Sequence, residues 1–128
     1  MWPVEEIPDT HVLYLRVHDN NIIDGKLIPG SFKEHGEGEG KGMSTDWSEY
    51  STAAQSLGRA TVPEKNSIVS FIAGLIRYYE LLINHAPLEM NRAHTNVKGA
   101  DADVKKRLKL LNIYDWELKS SHANQIKN

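Results

Sequence analysis

Three short segments hold the side chains best suited to chemistry. Arg16 and His18 stand two apart in an apolar stretch, Ser44, Thr45 and Asp46 follow a glycine-rich run, and Asn91, His94 and Thr95 precede Gly99. An imidazole titrates near pH 6.5 when unperturbed, so His18 and His94 are the candidate catalytic acid and base at neutral pH. A guanidinium grips a phosphate through paired N–H donors, which makes Arg16 the candidate phosphate ligand. Ser44, Thr45, Asp46, Asn91 and Thr95 would complete the ligand-binding set with hydroxyls, an amide and a carboxylate. Gathered at one end of a sheet, these groups suit phosphoester or nucleotide chemistry without a metal. A structural reading competes with this: an Arg16–Asp46 ion pair, Ser44 and Asp46 capping the next helix, and His94 donating a structural hydrogen bond.

Other chemistries find little footing. The chain has no cysteine, which removes thiolate nucleophiles, disulfides and cysteine-ligated metal centres. The run from His35 to Gly42 has a glycine at every second position but lacks the Gly-Lys-Ser/Thr ending of a phosphate loop, so it reads as a mobile surface loop. No two of the six histidines have the spacing of ligands on one helical face; His85, Glu89 and His94 could meet only through the fold. Ser44 lacks the glycine elbow of a hydrolase nucleophile. No metal and no cofactor is therefore expected. The net charge of −2 argues against a general nucleic-acid coat. Lys105, Lys106, Arg107 and Lys109 read either as a nucleic-acid contact or as the solvated face of a helix whose cations favour its C-terminal end.

The elements that must position these residues follow from periodicity. With 128 residues, 40% hydrophobic and 25% charged, the chain is expected to form one α+β domain, with a small mixed or antiparallel sheet and two or three short helices. Residues 1–10 contain two prolines and form an irregular lead-in. The strand reading is strongest for His11 to His18, with Leu15 and Val17 on one face and Arg16 and His18 on the other. Ser48 to Leu57 reads as a short helix capped by Ser48 or Ser51 and closed by Gly58. Residues 67–88 fit a strand, a short helical turn and a second strand, with one amphipathic helix as the alternative. Asn91 to Val97 is extended, Asp101 to Asn112 is a helix, and Ile113 to Leu118 alternates as a last strand. Residues 119–128 form a polar, frayed tail. The opening residues lack a secretory pattern and no run is long enough to span a membrane, so a cytoplasmic protein without membrane contact is expected.

The segments Leu13-Tyr14-x-Arg16-Val17-His18, Gly42-Met43-Ser44-Thr45-Asp46-Trp47 and Asn91-Arg92-Ala93-His94-Thr95-x-Val97-x-Gly99 resemble a family of short uncharacterised bacterial proteins. In the order of residue types the chain is also faintly similar to ADP-ribosyltransferase-like domains. That resemblance implies roles for Arg16 or His18, for Ser44, and for Glu117 as the late glutamate. The expected function is thus a small domain that binds or processes a phosphate-bearing ligand, a nucleotide or RNA. The alternative is a non-catalytic protein-interaction subunit of a bacterial assembly, with an exposed apolar patch that includes Trp2, Trp47 or Trp116.

Overall fold

The first long strand, β1 (Val12–His18), buries Leu13, Leu15 and Val17 on one face and turns Arg16 and His18 to the other, as its alternation requires. The computed structural model describes residues 1–101 and 103–125 of the chain. It is an α+β fold. Its eight strands are β1, β2 (Ile22–Ile23), β3 (Lys26–Leu27), β4 (Met43–Trp47), β5 (Asn66–Ile72), β6 (Leu82–His85), β7 (His94–Lys98) and β8 (Asp115–Leu118). Six form one antiparallel sheet in the order β6-β7-β4-β1-β5-β8, and β2 and β3 make a separate ribbon. The helices are α1 (Ala53–Gly58), α2 (Ala73–Tyr78) and α3 (Val104–Leu110).

One sheet face carries the main core. Leu13, Leu15, Met43, Val69, Phe71 and Val97 meet Phe32, Ile76, Leu81 and Leu110 there. Phe32 packs edge-on against Phe71, with centroids 5.9 Å apart. Burying one such side chain stabilises the fold by about 1.5–3 kcal/mol. On the opposite face α1 packs over β1 and β5 and seals Ile68.

The sheet does not stay closed along its length. β1 and β4 pair only at Leu13–Trp47 and Tyr14–Asp46. Yet β1 remains paired with β5 as far as His18, and β4 with β7 from Met43 onward. The two central strands therefore part beyond Tyr14, between Leu15 and Arg16 on one side and Met43 and Ser44 on the other. This opening positions the candidate site.

Several local expectations change for identifiable reasons. The helix after Trp47 starts at Ala53 rather than near Ser48, because Thr52 and Gln55 form a capping box: Thr52 Oγ1 accepts from the Gln55 amide at 3.1 Å, and Gln55 Oε1 accepts from the Thr52 amide at 2.9 Å. Ser48 instead accepts the Val12 amide hydrogen. Ser44 and Asp46 lie inside β4, so they cap nothing.

Residues 67–85 do form strand, helix and strand. Gly74, which weakens the single-helix reading, sits where a Cβ would lie 3.1 Å from Asp9, and its amide donates to the Asp9 carbonyl at 2.9 Å. The glycine-rich run is pinned by paired backbone bonds between His35 and Gly42, each 2.9 Å. A Cβ on Gly42 would come within 2.8 Å of Asn96 Cβ, so only glycine fits that approach.

The expected helix from Asp101 begins at Val104, because Asp103 caps it by accepting from Lys105 and Lys106. Ala102 lies outside the described residues. The expected frayed tail is docked through Ser120 to Ala123: Ser120 Oγ donates to Asp19 at 2.7 Å, and Ala123 is buried. Residues 126–128 of that tail lie outside the described residues. Among the described residues no helix is long and apolar enough to cross a membrane.

Candidate functional site

Where β1 and β4 part, a cleft of about 640 Å³ opens. Leu15, Arg16 and His18 of β1 form one wall, and Met43 and Ser44 of β4 the other. Arg59, which follows α1, and Lys33 and His35 from the loop before β4 complete its basic lining. Asn21, Ser31, Thr61 and Asn66 add amides and hydroxyls. Among the described residues that line the cleft there is no carboxylate.

The arginines are fixed from beneath. Asp46 is 1% exposed, and its Oδ2 accepts from Arg16 Nη1 at 3.1 Å, Arg59 Nη1 at 3.0 Å and Ser56 Oγ at 2.6 Å. Its Oδ1 accepts from Asn91 Nδ2 at 2.8 Å. Burial alone would raise the pKa of Asp46. The hydrogen bonds from Ser56 and Asn91, together with the positive charge of Arg16 and Arg59, outweigh that and hold it below the ordinary value.

The carboxylate is thus ionised and shared by two guanidiniums, and the trio keeps one net positive charge. Both arginine side chains are 29% exposed. Each binds Asp46 through Nη1 alone, and among the described residues Nε and Nη2 of each have no partner. Those donors are available for a ligand.

The residues anticipated from sequence divide into three groups. Arg16, His18 and Ser44 line the cleft, and buried Asp46 with half-buried Asn91 supports it from behind. Thr45 and Thr95 face away: Thr45 Oγ1 donates to the Thr95 carbonyl at 2.9 Å, and Thr95 Oγ1 to the Ala93 carbonyl at 3.0 Å. His94 pairs with Asp46 across the strands, but it does not line the cleft, and its Nδ1 is 2.8 Å from the Ala86 carbonyl. His18 and His94 therefore do not share the cleft. The second imidazole there is His35, which sequence reasoning placed in a featureless loop. Lys33 and Arg59 were also missed, since each is a lone cation outside any periodic segment. The Thr52/Gln55 box was the one local clue that a helix would deliver Ser56 and Arg59 to Asp46.

Glu117 is exposed on the edge strand β8 and does not line the cleft. Among the described residues no group of three or more His, Asp or Glu side chains is arranged to hold a metal ion. His85, for its part, is occupied on both ring nitrogens. Nδ1 accepts from the Glu5 amide at 3.0 Å, so Nε2 carries the hydrogen and donates to the Arg92 carbonyl at 2.7 Å.

That histidine belongs to a second polar cluster, under the N-terminal segment. Tyr50 donates its hydroxyl to Glu5, with 2.6 Å and 2.8 Å to the two carboxylate oxygens, and this bond raises the tyrosine pKa above its ordinary value. Arg92 donates to the Tyr50 hydroxyl at 3.1 Å and lies between the rings of Trp2 and Tyr50. Trp47 is buried beside Tyr50 and His85, and Trp116 is half-buried. Trp2 is exposed, and near α2 the exposed apolar side chains are Ile72, Leu75, Tyr78 and Leu82.

Compared with known proteins, the chain matches no family model, no curated protein and no solved structure.

Proposed function

We propose that the cleft binds a phosphate-bearing ligand, a nucleotide or the end of an RNA strand. The observation that carries this reading is the pair of arginines held by one buried carboxylate at an opening lined by cations and free of acids. A buried Asp46 shared by Arg16 and Arg59 orients both guanidiniums without cancelling their charge. Lys33 adds a second positive charge at the rim, and among the described residues it has no hydrogen-bond or ion-pair partner.

Phosphate oxygens suit this arrangement because they accept several N–H donors at once and reward a preset fork. Where β1 and β4 part, Ser44, Ser31 and Asn66 can take the sugar or the remaining oxygens. His18 keeps Nδ1 bound to the Asn20 amide at 3.0 Å, so Nε2 is the nitrogen left for the ligand. His18 and His35, rather than His18 and His94, are the imidazoles placed for acid–base work on a bound phosphoester. Of the residues that the ADP-ribosyltransferase resemblance implies, Arg16, His18 and Ser44 line the cleft and Glu117 does not. This favours nucleotide binding over a transfer reaction that depends on that glutamate.

Calorimetric titration with inorganic phosphate, a nucleoside 5′-monophosphate and a short 5′-phosphorylated RNA tests the reading. Binding is expected at low salt and weakens as salt rises. Arg59→Lys keeps a cation beside Asp46 but removes the fork, and a loss of roughly tenfold in affinity is expected with stability nearly unchanged. Absence of binding by all three probes at low salt would refute it.

A further inference from the structure

A second, smaller basin of about 240 Å³ adjoins the cleft and shares Gly30 and Lys33 with it. Its other lining residues are Pro29, Asp101 and Arg107. Arg107 reaches it from α3, which packs against the Pro29–Phe32 turn, and is fixed by donating to the Ala100 and Asp101 carbonyls. Asp101 is the one acid of this basin, and its charge is offset by Lys41 at 3.5 Å. Lys33 stands on the boundary, exposed, with its ammonium unpaired among the described residues.

We infer that the ligand carries two phosphate groups, one over Arg16 and Arg59 in the cleft and one between Lys33 and Arg107 in the adjoining basin. The inference rests on the proposed phosphate-binding role of the cleft and extends it. Three features carry it. The two depressions border on the same Gly30 and Lys33, which sets them side by side for one ligand. Each contains a guanidinium already oriented by its own protein partners, which lowers the ordering cost of gripping an anion. The lysine between them has four rotatable bonds and, among the described residues, no competing partner, so it can reach either phosphate or bridge them.

The chemistry is a nucleotide with a second anionic phosphorus, and two sources fit: a pyrophosphate, as in a nucleoside diphosphate, or two successive phosphates of a nucleic-acid strand.

The experiment compares AMP, ADP and the 5′-phosphorylated dinucleotide pApA by calorimetry, using the full chain and the Lys33→Ala and Asp101→Asn variants. Lys33 is exposed, so its replacement leaves the fold intact. ADP or pApA is expected to bind about tenfold tighter than AMP, and Lys33→Ala removes most of that advantage. Asp101→Asn, which deletes the basin's one acid, is expected to tighten the two-phosphate ligand and leave AMP unchanged. A lysine-dependent gain for ADP identifies the pyrophosphate source, and one for pApA identifies the strand. AMP binding with no gain for either partner overturns the inference while leaving the cleft reading in place. No binding of AMP, ADP or pApA overturns both.

Discussion

Two of the clusters in which arginine meets carboxylate are built to opposite ends. Under the N-terminal segment one arginine, Arg92, faces one carboxylate, Glu5, at 3.5 Å, with Tyr50 between them and the Trp2 ring alongside. Charge balances, and His85 spends both ring nitrogens within the cluster. At the parting of β1 and β4, two arginines share one carboxylate, and each keeps donors without partners among the described residues. The first arrangement closes a surface, and its one buried donor without a partner among the described residues, Arg92 Nε, belongs to a guanidinium that lies over the Trp2 and Tyr50 rings. The second leaves positive charge in excess at an opening. Composition alone does not separate the two. The ratio of cations to anions, and what lies in front of them, does.

Removing the shared carboxylate breaks the comparison most severely. Asp46→Ala leaves two guanidiniums facing each other over an unfilled buried site, and a loss of about 3 kcal/mol is expected in chemical denaturation. Glu5→Gln keeps the shape of the other cluster and its hydrogen-bonding capacity, and about 1 kcal/mol is expected there, with phosphate affinity unchanged. Equal losses for the two variants would erase the distinction in burial on which the comparison depends.

Acid sharpens the same contrast. Because the folded pKa of Asp46 lies below the ordinary aspartate value of 3.8, its contribution is fully present above that value and is lost as pH falls through the folded pKa. Stability measured by urea denaturation from pH 5 down to pH 2 is expected to fall in the native chain. In Asp46→Asn the part of this slope due to Asp46 should be missing, and an unchanged slope would contradict the assignment.

The smallest effect is expected from His94→Gln. An amide can still donate to the Ala86 carbonyl, so stability should shift by no more than about 1 kcal/mol, and phosphate affinity should stay the same. His18→Gln, by contrast, is expected to weaken phosphate binding measurably. A loss of binding in both histidine variants would restore the pairing expected from sequence.

The sequence was most legible where one face of an element was buried. Leu13, Leu15 and Val17 alternate with Arg16 and His18, which fixed both the strand and the side from which its polar residues project. Residues 66–85 could also be read because Gly74 and the β-branched run before it conflict with one long helix. β4 was missed since Ser44 and Asp46 also read as helix caps and Thr45 as a ligand group; only pairing with β7, and with β1 at Asp46, makes them a strand. The docked tail depends on Ser120, whose partners Asp19 and Ser67 lie far away in sequence. For the candidate site the strand-borne half was visible and the loop-borne half was not. Lys33 and His35 reach the cleft through the course of a loop and Arg59 from the end of α1, and no local period marks them.

The proposed phosphate site is the opening between β1 and β4, and not the charge-balanced cluster under the N-terminal segment. Heteronuclear NMR of the histidine rings during titration with a nucleoside 5′-monophosphate tests it most directly. The account predicts that His18 and His35 shift together and saturably, while His85 and His94 stay in place. Shifts confined to His85 and His94, or none at any ring, would contradict it.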